Sequence, residues 1–193
     1  MKTLILSFLV TYISFFNQMY GEIEKITIKW TANLCADSCI RDMYKQFGAV
    51  NGIAEKIINQ QQGMAEFRWK PKSSFNFQML DQAMRLVGPR IQDSRVRVRG
   101  TISHDASNVY LNSLGDNTRF ILLGTPPAST TEYVIQYSAQ TRGLPPETRK
   151  KFLDSENNFE VVVVEGPLFE PIRFTELYLI VERAESINLG SHQ

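Results

Sequence analysis

The amino-acid sequence predicts an α+β protein with two sheet-rich halves. The first half alternates strand and helix signals in the order β, α, β, β, α, β, and the second half is dominated by strands with one helical segment. With 43% apolar residues, the chain of 193 residues can bury cores of ordinary size. The net charge of +1 gives no overall preference for nucleic acid or for acidic surfaces.

Residues 1–21 have the layout of a secretory signal peptide. Lys2 precedes an apolar run from Leu4 to Phe16, and this run of roughly 13 residues is shorter than the approximately 20 that span a bilayer with ease. We expect cleavage near Gly21 and a mature protein that is periplasmic or secreted, with no membrane span. The open alternative is an uncleaved segment that anchors the protein in the membrane.

The pattern of the first half predicts a single folded unit. Ile26, Ile28 and Trp30 alternate with polar residues as a first strand, and apolar residues then recur at helical spacing from Ile40 to Phe47. Strands over 53–58 and 65–69 follow, then a helix from 77 to 87 that stops at Gly88-Pro89, and then a strand through 95–99. We expect residues 71–74 to cap that helix. This order is the split βαβ, or ferredoxin-like, arrangement.

The cysteines are the most informative polar residues. Cys35 and Cys39, the only two in the chain, lie between the first strand and the first helix. A helix N-terminus lowers the pKa of a thiol and presents thiolates to a soft cation or to each other. Three states therefore stay open: two metal ligands, a disulfide, or a pair of inert thiols.

Residues 25–99 resemble a heavy-metal-associated domain. The resemblance depends on the first strand, the cysteine loop, Val50-Asn-Gly-Ile53, Gly63-Met-Ala-Glu-Phe67 and the helix over 77–88. In that family a Met-x-Cys-x-x-Cys loop binds Cu(I), Hg(II) or a similar soft ion. The resemblance implies a metal carrier with Cys35 and Cys39 as ligands and a metal-transfer or envelope protein as partner. The loop departs from the family because Asn33 replaces the methionine and three residues separate the cysteines.

The order of strands and helix in the second half predicts a β-barrel. Strands are expected over 96–102, 108–114 and 118–123, with a further strand over 133–137, a helix over 145–154, and strands over 159–165 and 177–181. This order resembles an OB-type barrel. We therefore expect a signal peptide (1–21), a ferredoxin-like domain (22–96), an OB-like domain (97–185) and a disordered tail (186–193), with the strand around residues 95–101 shared by both domains.

OB-type barrels often bind single-stranded nucleic acid or oligosaccharide on a strand face. Tyr110, Phe120, Arg97 and Arg99 could furnish such a face. The alternative is that the two aromatic residues belong to the barrel core and the two arginines to a solvated strand edge. We expect no nucleic-acid partner, because export and a near-neutral charge both disfavour one.

No motif points to catalysis. The two histidines are His104 and His192; His104 precedes Asp105 at a strand end, where we expect a solvated side chain. We therefore expect a protein that is not an enzyme. The sequence favours two functions: an exported soft-metal binding or carrier protein, or a cell-envelope interaction or scaffold protein whose cysteines form a disulfide or are inert. A thiol-disulfide enzyme is a third choice, although the CxxC motif and thioredoxin pattern typical of such enzymes are missing.

Overall fold

The computed structural model describes residues 22–32, 37–125 and 142–187. The predicted signal peptide, Cys35 and the strand over 133–137 lie outside these residues, as does His192. Within them the chain is a mixed α+β protein, and the predicted fold class is confirmed at that level. Its elements are β1 (Ile23–Lys29), α1 (Asp37–Gly48), β2 (Ile53–Asn59), β3 (Met64–Trp69), α2 (Phe77–Val87), β4 (Asp93–His104), β5 (Val109–Ser113), β6 (Arg119–Leu123), α3 (Pro146–Asn157), β7 (Val161–Pro167), β8 (Leu177–Ile180) and β9 (Arg183–Ile187).

The first four strands lie side by side in the order β2-β3-β1-β4, and every neighbouring pair is antiparallel. Their alternating residues bury one face of the sheet, which includes Ile26 and Phe67. Met43 and Phe47 of α1 and Leu80 of α2 belong to the same buried cluster. The apolar residues that alternate along the strands and those that recur at helical spacing therefore pack together in one core.

Strands β5, β6, β8 and β7 form a ring that begins and ends at β4, and β9 pairs antiparallel with β7 outside this ring. Strand β4 pairs with β5, β5 with β6, and β6 runs parallel to β8. Strands β8 and β7 are joined by an isolated bridge between Leu179 of β8 and Leu168, which directly follows β7. Strand β7 then pairs antiparallel with β4. Helix α3 lies between β6 and β7 in sequence and buries Phe152 in the core.

Strand β4 is common to both halves. Its residues 93–98 pair with β1, its residues 100–104 pair with β5, and its residues 95–101 pair with β7. The main core cluster is also continuous, since it contains Ile26 and Leu80 from the first half together with Phe120 and Val164 from the second. The predicted boundary between residues 96 and 97 falls inside this strand.

Four sequence expectations differ from the structure in detail. The cap of α2 is Asn76, whose side chain accepts a hydrogen bond from the Gln78 backbone N–H, and not residues 71–74. Phe159 precedes β7 with a φ of 53° and is 92% exposed. Strand β7 continues through Gly166 to Pro167, two residues beyond the expected end at residue 165. Strand β9 was not predicted, and it includes residues 186 and 187 of the expected tail.

Candidate functional site

Cys39 lies in the first turn of α1, close after β1. Its side chain is half-buried and packs against the main core beside Ile40. Helix N-termini present backbone N–H groups and the positive end of the helix dipole, which favour negative charge at this point. The structure therefore places one of the two predicted ligands at the expected kind of position.

The sulfur of Cys39 is disulfide-bonded. No cysteine among the described residues is free, and the one other cysteine in the sequence is Cys35. Of the three states that the sequence left open, the disulfide is the one present at Cys39. Because a disulfide sulfur is not a thiolate, Cu(I) or Hg(II) could bind here only after the bond is reduced. The metal site stays a prediction.

Other ligand sets are also relevant to a metal centre. Within residues 22–32, 37–125 and 142–187, no three His, Cys, Asp or Glu side chains gather into a group that could hold a metal ion.

In the part of the chain that the structure describes, no helix is both long enough and apolar enough to span a bilayer.

The chain was compared with known proteins at three levels. No protein-family model matches it, and neither a curated protein nor a solved structure does. We therefore infer what the candidate sites can bind from the residues of this chain alone.

His104 ends β4 and is tied to α3. Its Nδ1 atom lies 2.5 Å from Oε2 of Glu156, and its side chain is about half exposed. The side chain is therefore paired, where a solvated histidine was expected. The neighbouring Asp105 carboxylate accepts hydrogen bonds from the Tyr110 hydroxyl and from the backbone N–H groups of Asn108 and Ser107. These bonds, the one from Tyr110 foremost, lower the pKa of Asp105 to about 2.

The four residues proposed for a barrel ligand face separate in the structure. Phe120 is fully buried in the core. Arg97 and Arg99 both donate to the Glu24 carboxylate, Arg97 over 2.9 Å, and Arg97 also lies 3.4 Å from Glu165. These arginines are thus engaged by carboxylates of the protein itself. Tyr110 is half-exposed, its hydroxyl donates to the Asp105 carboxylate, and the Arg119 guanidinium lies over its ring.

A row of half-exposed side chains extends from Tyr110 across the barrel. Tyr110 of β5 lies opposite Ile121 of β6, and Ile121 lies opposite Tyr178 of β8. Partners in register point to the same face, so the three side chains are neighbours. Sequence reasoning found Tyr110 but missed Tyr178, because the parallel pairing of β6 with β8 leaves no local signal in the sequence.

Aromatic contacts continue the row beyond β8. The ring of Tyr178 lies 5.3 Å from that of Phe174, and Phe174 stacks 6.2 Å from Phe169. We call the five side chains the aromatic strip: Tyr110, Ile121, Tyr178, Phe174 and Phe169. Phe169 is buried at one end, whereas the other four members are half-exposed. A contiguous surface of this kind is suited to contact with a ligand.

Proposed function

We propose that the protein is an exported, non-enzymatic interaction protein of the cell envelope, in which Cys35 and Cys39 form a structural disulfide. The observation that carries this proposal is the disulfide state of Cys39. Disulfides persist in secreted and periplasmic proteins and are rare in the reducing cytosol. The apolar N-terminal run supports the same compartment.

We also assign the two halves to fold types. The strand order β2-β3-β1-β4 with intervening helices supports a ferredoxin-like first half. The ring of β4, β5, β6, β8 and β7, with its parallel β6–β8 pair and a helix before β7, supports an OB-like second half. Neither fold type specifies an activity by itself, so the functional argument depends on the cysteines and on the exposed surface.

The disulfide has a simple structural role in this proposal. Cys35 and Cys39 bracket three residues, so the bond would close a loop of five residues that ends in the first turn of α1. In the chain-entropy model, closing so short a loop stabilises the folded state by about 2 kcal/mol. The bond would hold the β1–α1 connection in one conformation at the edge of the core.

The thiol state in the native compartment tests the proposal. Protein recovered from the cell envelope would be treated with an alkylating reagent under denaturing, non-reducing conditions and weighed by mass spectrometry. We expect no alkylation before reduction and two alkyl groups after it. A Cys39→Ser variant should take one group without reduction, which checks that the reagent reaches the loop. Two groups added to the native protein before reduction would overturn the structural disulfide.

The second candidate is an exported soft-metal carrier that acts in the reduced state. It is favoured by the position of Cys39 in the first turn of α1, where the helix dipole stabilises a thiolate. Soft thiolates select Cu(I) and Hg(II). Titration of the reduced protein with Cu(I) against a competing chelator should then show one ion per chain, lost in Cys35→Ser. Failure of the reduced protein to retain any ion would dismiss the carrier.

A further inference from the structure

Strand β2 is an edge strand of the sheet. It pairs antiparallel with β3 on one side, and among the residues that the structure describes no strand pairs with its other side. The outward N–H and C=O groups of β2 can therefore accept the backbone of a further strand. The strand covers Ile53–Asn59 and contains no proline that would block such pairing. Its register with β3 shifts between residues 53 and 55, so residues 55–59 form its regular part.

The positive charge on β2 is directed toward a helix. Lys56 lies opposite Phe67, on the face of the sheet that packs against the helices. Its Nζ atom would lie 3.5 Å from a Cβ atom added to Gly48, the last residue of α1. Because a helix C-terminus attracts cations, we expect this ammonium group to stay at α1. It therefore does not protect the free edge of β2.

Ile57, at the centre of the regular part, is strongly exposed. It is 67% exposed and lies opposite Glu66, on the face of the sheet that the helices leave open. The charged side chains around it are already paired: Glu66 with Lys25 over 2.6 Å, and Glu55 with Arg68 over 3.4 Å. An apolar, β-branched side chain in neutral surroundings thus borders a free backbone edge, a combination that favours the addition of a strand.

The sequence of β2 is compatible with a second copy of itself. In a two-fold antiparallel pair, one residue lies opposite the same residue of the other copy. Centring the pair on Glu55 or on Lys56 would place like charges opposite each other, which is destabilising. Centring it on Ile57 opposes the two isoleucines and pairs Glu55 with Asn59, so five residue pairs over 55–59 form without opposed like charges. Centring nearer either end of the strand leaves three residue pairs or fewer.

We infer that β2 pairs antiparallel with β2 of a second copy, so that the protein forms a two-fold dimer with one sheet passing through both chains. An interface of this length is at the small end of specific interfaces, so we expect a weak dimer with a dissociation constant of about 10 to 100 µM. The inference rests on the proposed interaction function and names one partner for it. Self-association of the purified chain distinguishes a second copy from a strand of another protein, which could use the same edge.

Sedimentation equilibrium tests the dimer. The mature chain, with its disulfide intact, would be centrifuged at concentrations from about 1 µM to about 1 mM, which span the expected dissociation constant. We expect the average mass to rise with concentration from that of one chain to that of two and no further, because the pairing occupies the free edge of both copies. A single-chain mass at the highest concentration would overturn the inference.

Opposite charges at position 57 test the register. Ile57→Lys and Ile57→Glu each oppose like charges across the two-fold axis and remove the apolar pair, so we expect each variant alone to dimerise about tenfold more weakly, or worse. An equimolar mixture of the two should recover a dimer, since lysine then lies opposite glutamate. Leu86→Lys is the matched control: Leu86 is 66% exposed but lies on α2, and this change should leave the dissociation constant unaltered. Far-UV circular dichroism checks that each variant is folded.

Cysteine cross-linking locates the two-fold axis. Thiols introduced by Ile57→Cys would face each other in the dimer and form a disulfide between chains under mild oxidation, which non-reducing electrophoresis detects. In Glu55→Cys the two thiols would lie four residues apart along the paired strands, roughly 14 Å, beyond the distance of about 7 Å that bridged Cα atoms can span. We expect a covalent dimer from Ile57→Cys and little from Glu55→Cys.

Three further results would also overturn the inference: wild-type dimerisation in Ile57→Lys, no recovery when the two charge variants are mixed, or more cross-linking from Glu55→Cys than from Ile57→Cys. A dimer that is lost in Leu86→Lys would overturn it as well, because the interface would then involve the helices. None of these results bears on the thiol state of Cys35 and Cys39, so the proposed interaction protein could survive as a monomer with another partner.

Discussion

At the residue scale, Gly52 shows how tightly the first half is packed. A Cβ atom at this position would lie 1.9 Å from Cζ2 of Trp69. That indole is buried and its Nε1 donates a hydrogen bond to the Ser73 carbonyl at 2.7 Å, so it is not free to move aside. We expect Gly52→Ala to lower the free energy of unfolding by about 1 to 3 kcal/mol, as other overpacked core sites do. Urea denaturation followed by tryptophan fluorescence measures the change.

Gly48 supplies the control for that substitution. It ends α1, and the nearest atom to its added Cβ would be Nζ of Lys56 at 3.5 Å, an ordinary contact with a flexible side chain. Gly48→Ala should therefore keep or raise the stability, by up to about 1 kcal/mol, because alanine restricts the unfolded chain. A Gly52→Ala protein as stable as the wild type would show that Trp69 can be displaced at little cost.

A second residue-scale prediction concerns the Asp105 carboxyl group. Its pKa in the folded protein is about 2, against an ordinary value of 3.8, chiefly because the Tyr110 hydroxyl donates to it. A carboxyl group with a lowered folded pKa stabilises the protein above its unfolded value and loses this contribution as the pH falls through the folded value. We expect Asp105 to stay largely ionised in the folded protein at pH 3, while its contribution to stability falls progressively from about pH 4, where the unfolded chain begins to protonate, to about pH 2.

Titration by NMR of the Asp105 side-chain carbon measures that pKa directly. Tyr110→Phe removes the main cause of the shift while it keeps the ring under Arg119, so the pKa should rise toward 3.8. The backbone N–H bonds from Ser107 and Asn108 remain, which should hold the value somewhat below normal. An unchanged pKa in Tyr110→Phe would contradict the assigned cause.

At the scale of elements, the start of α2 depends on one side chain. Asn76 has an extended backbone, and its Oδ1 accepts a hydrogen bond from the Gln78 N–H at 2.9 Å. We expect Asn76→Ala to cost about 1 kcal/mol in the free energy of unfolding, whereas Asn76→Asp or Asn76→Ser should cost much less, since both can accept the same bond. Chemical denaturation of the three variants separates capping from side-chain size. Equal losses in all three would mean that the cap contributes nothing.

How far the elements could be predicted depends on where their signals lie. Helix α2 was predicted with its observed limits, because its apolar residues follow one periodicity and Gly88-Pro89 ends it. Strand β9 was missed, because Arg183–Ile187 is almost wholly exposed and lacks a buried alternating face. Phe159 was assigned to a strand because it is aromatic and borders a valine run, yet its positive φ places it in a turn.

The candidate sites were less predictable than the elements. Spacing alone could not choose between thiolates and a disulfide for Cys35 and Cys39, since both states use the same residues. The aromatic strip joins Tyr110 to Tyr178, which lie far apart in sequence and meet only through the parallel pairing of β6 with β8. Contacts of this kind arise from tertiary topology, and short sequence patterns do not encode them.

At the scale of the whole molecule, charged side chains follow β4 across its exposed face. Arg97 pairs with Glu24 of β1 on one side and with Glu165 of β7 on the other. Arg95 forms an ion pair with Glu182. Exposed pairs of this kind contribute little each, so they do not hold the two halves together. The buried side of β4 carries that role.

Because one continuous core on the buried side of β4 contains residues of both halves, we expect the two halves to unfold together. Val164 of β7 is fully buried and lies opposite Val98 of β4. Both tryptophans, Trp30 and Trp69, are in the first half. Val164→Ala removes the two buried Cγ methyl groups and should lower the free energy of unfolding by about 2 to 3 kcal/mol. If β4 couples the halves, tryptophan fluorescence in the first half will report the full loss, although the change is in the second.

Two measurements decide whether that coupling exists. In urea, the midpoint from tryptophan fluorescence should shift in Val164→Ala by the same amount as the midpoint from far-UV circular dichroism, and both curves should remain single transitions. An exposed change in the same half, Lys150→Gln on α3, should shift neither. If fluorescence keeps its wild-type midpoint while circular dichroism becomes biphasic, the halves unfold separately and β4 does not couple them. A coincident shift would mean that a partner bound at the barrel also stabilises the cysteine-bearing half, because ligand binding to a cooperative unit stabilises the whole of it.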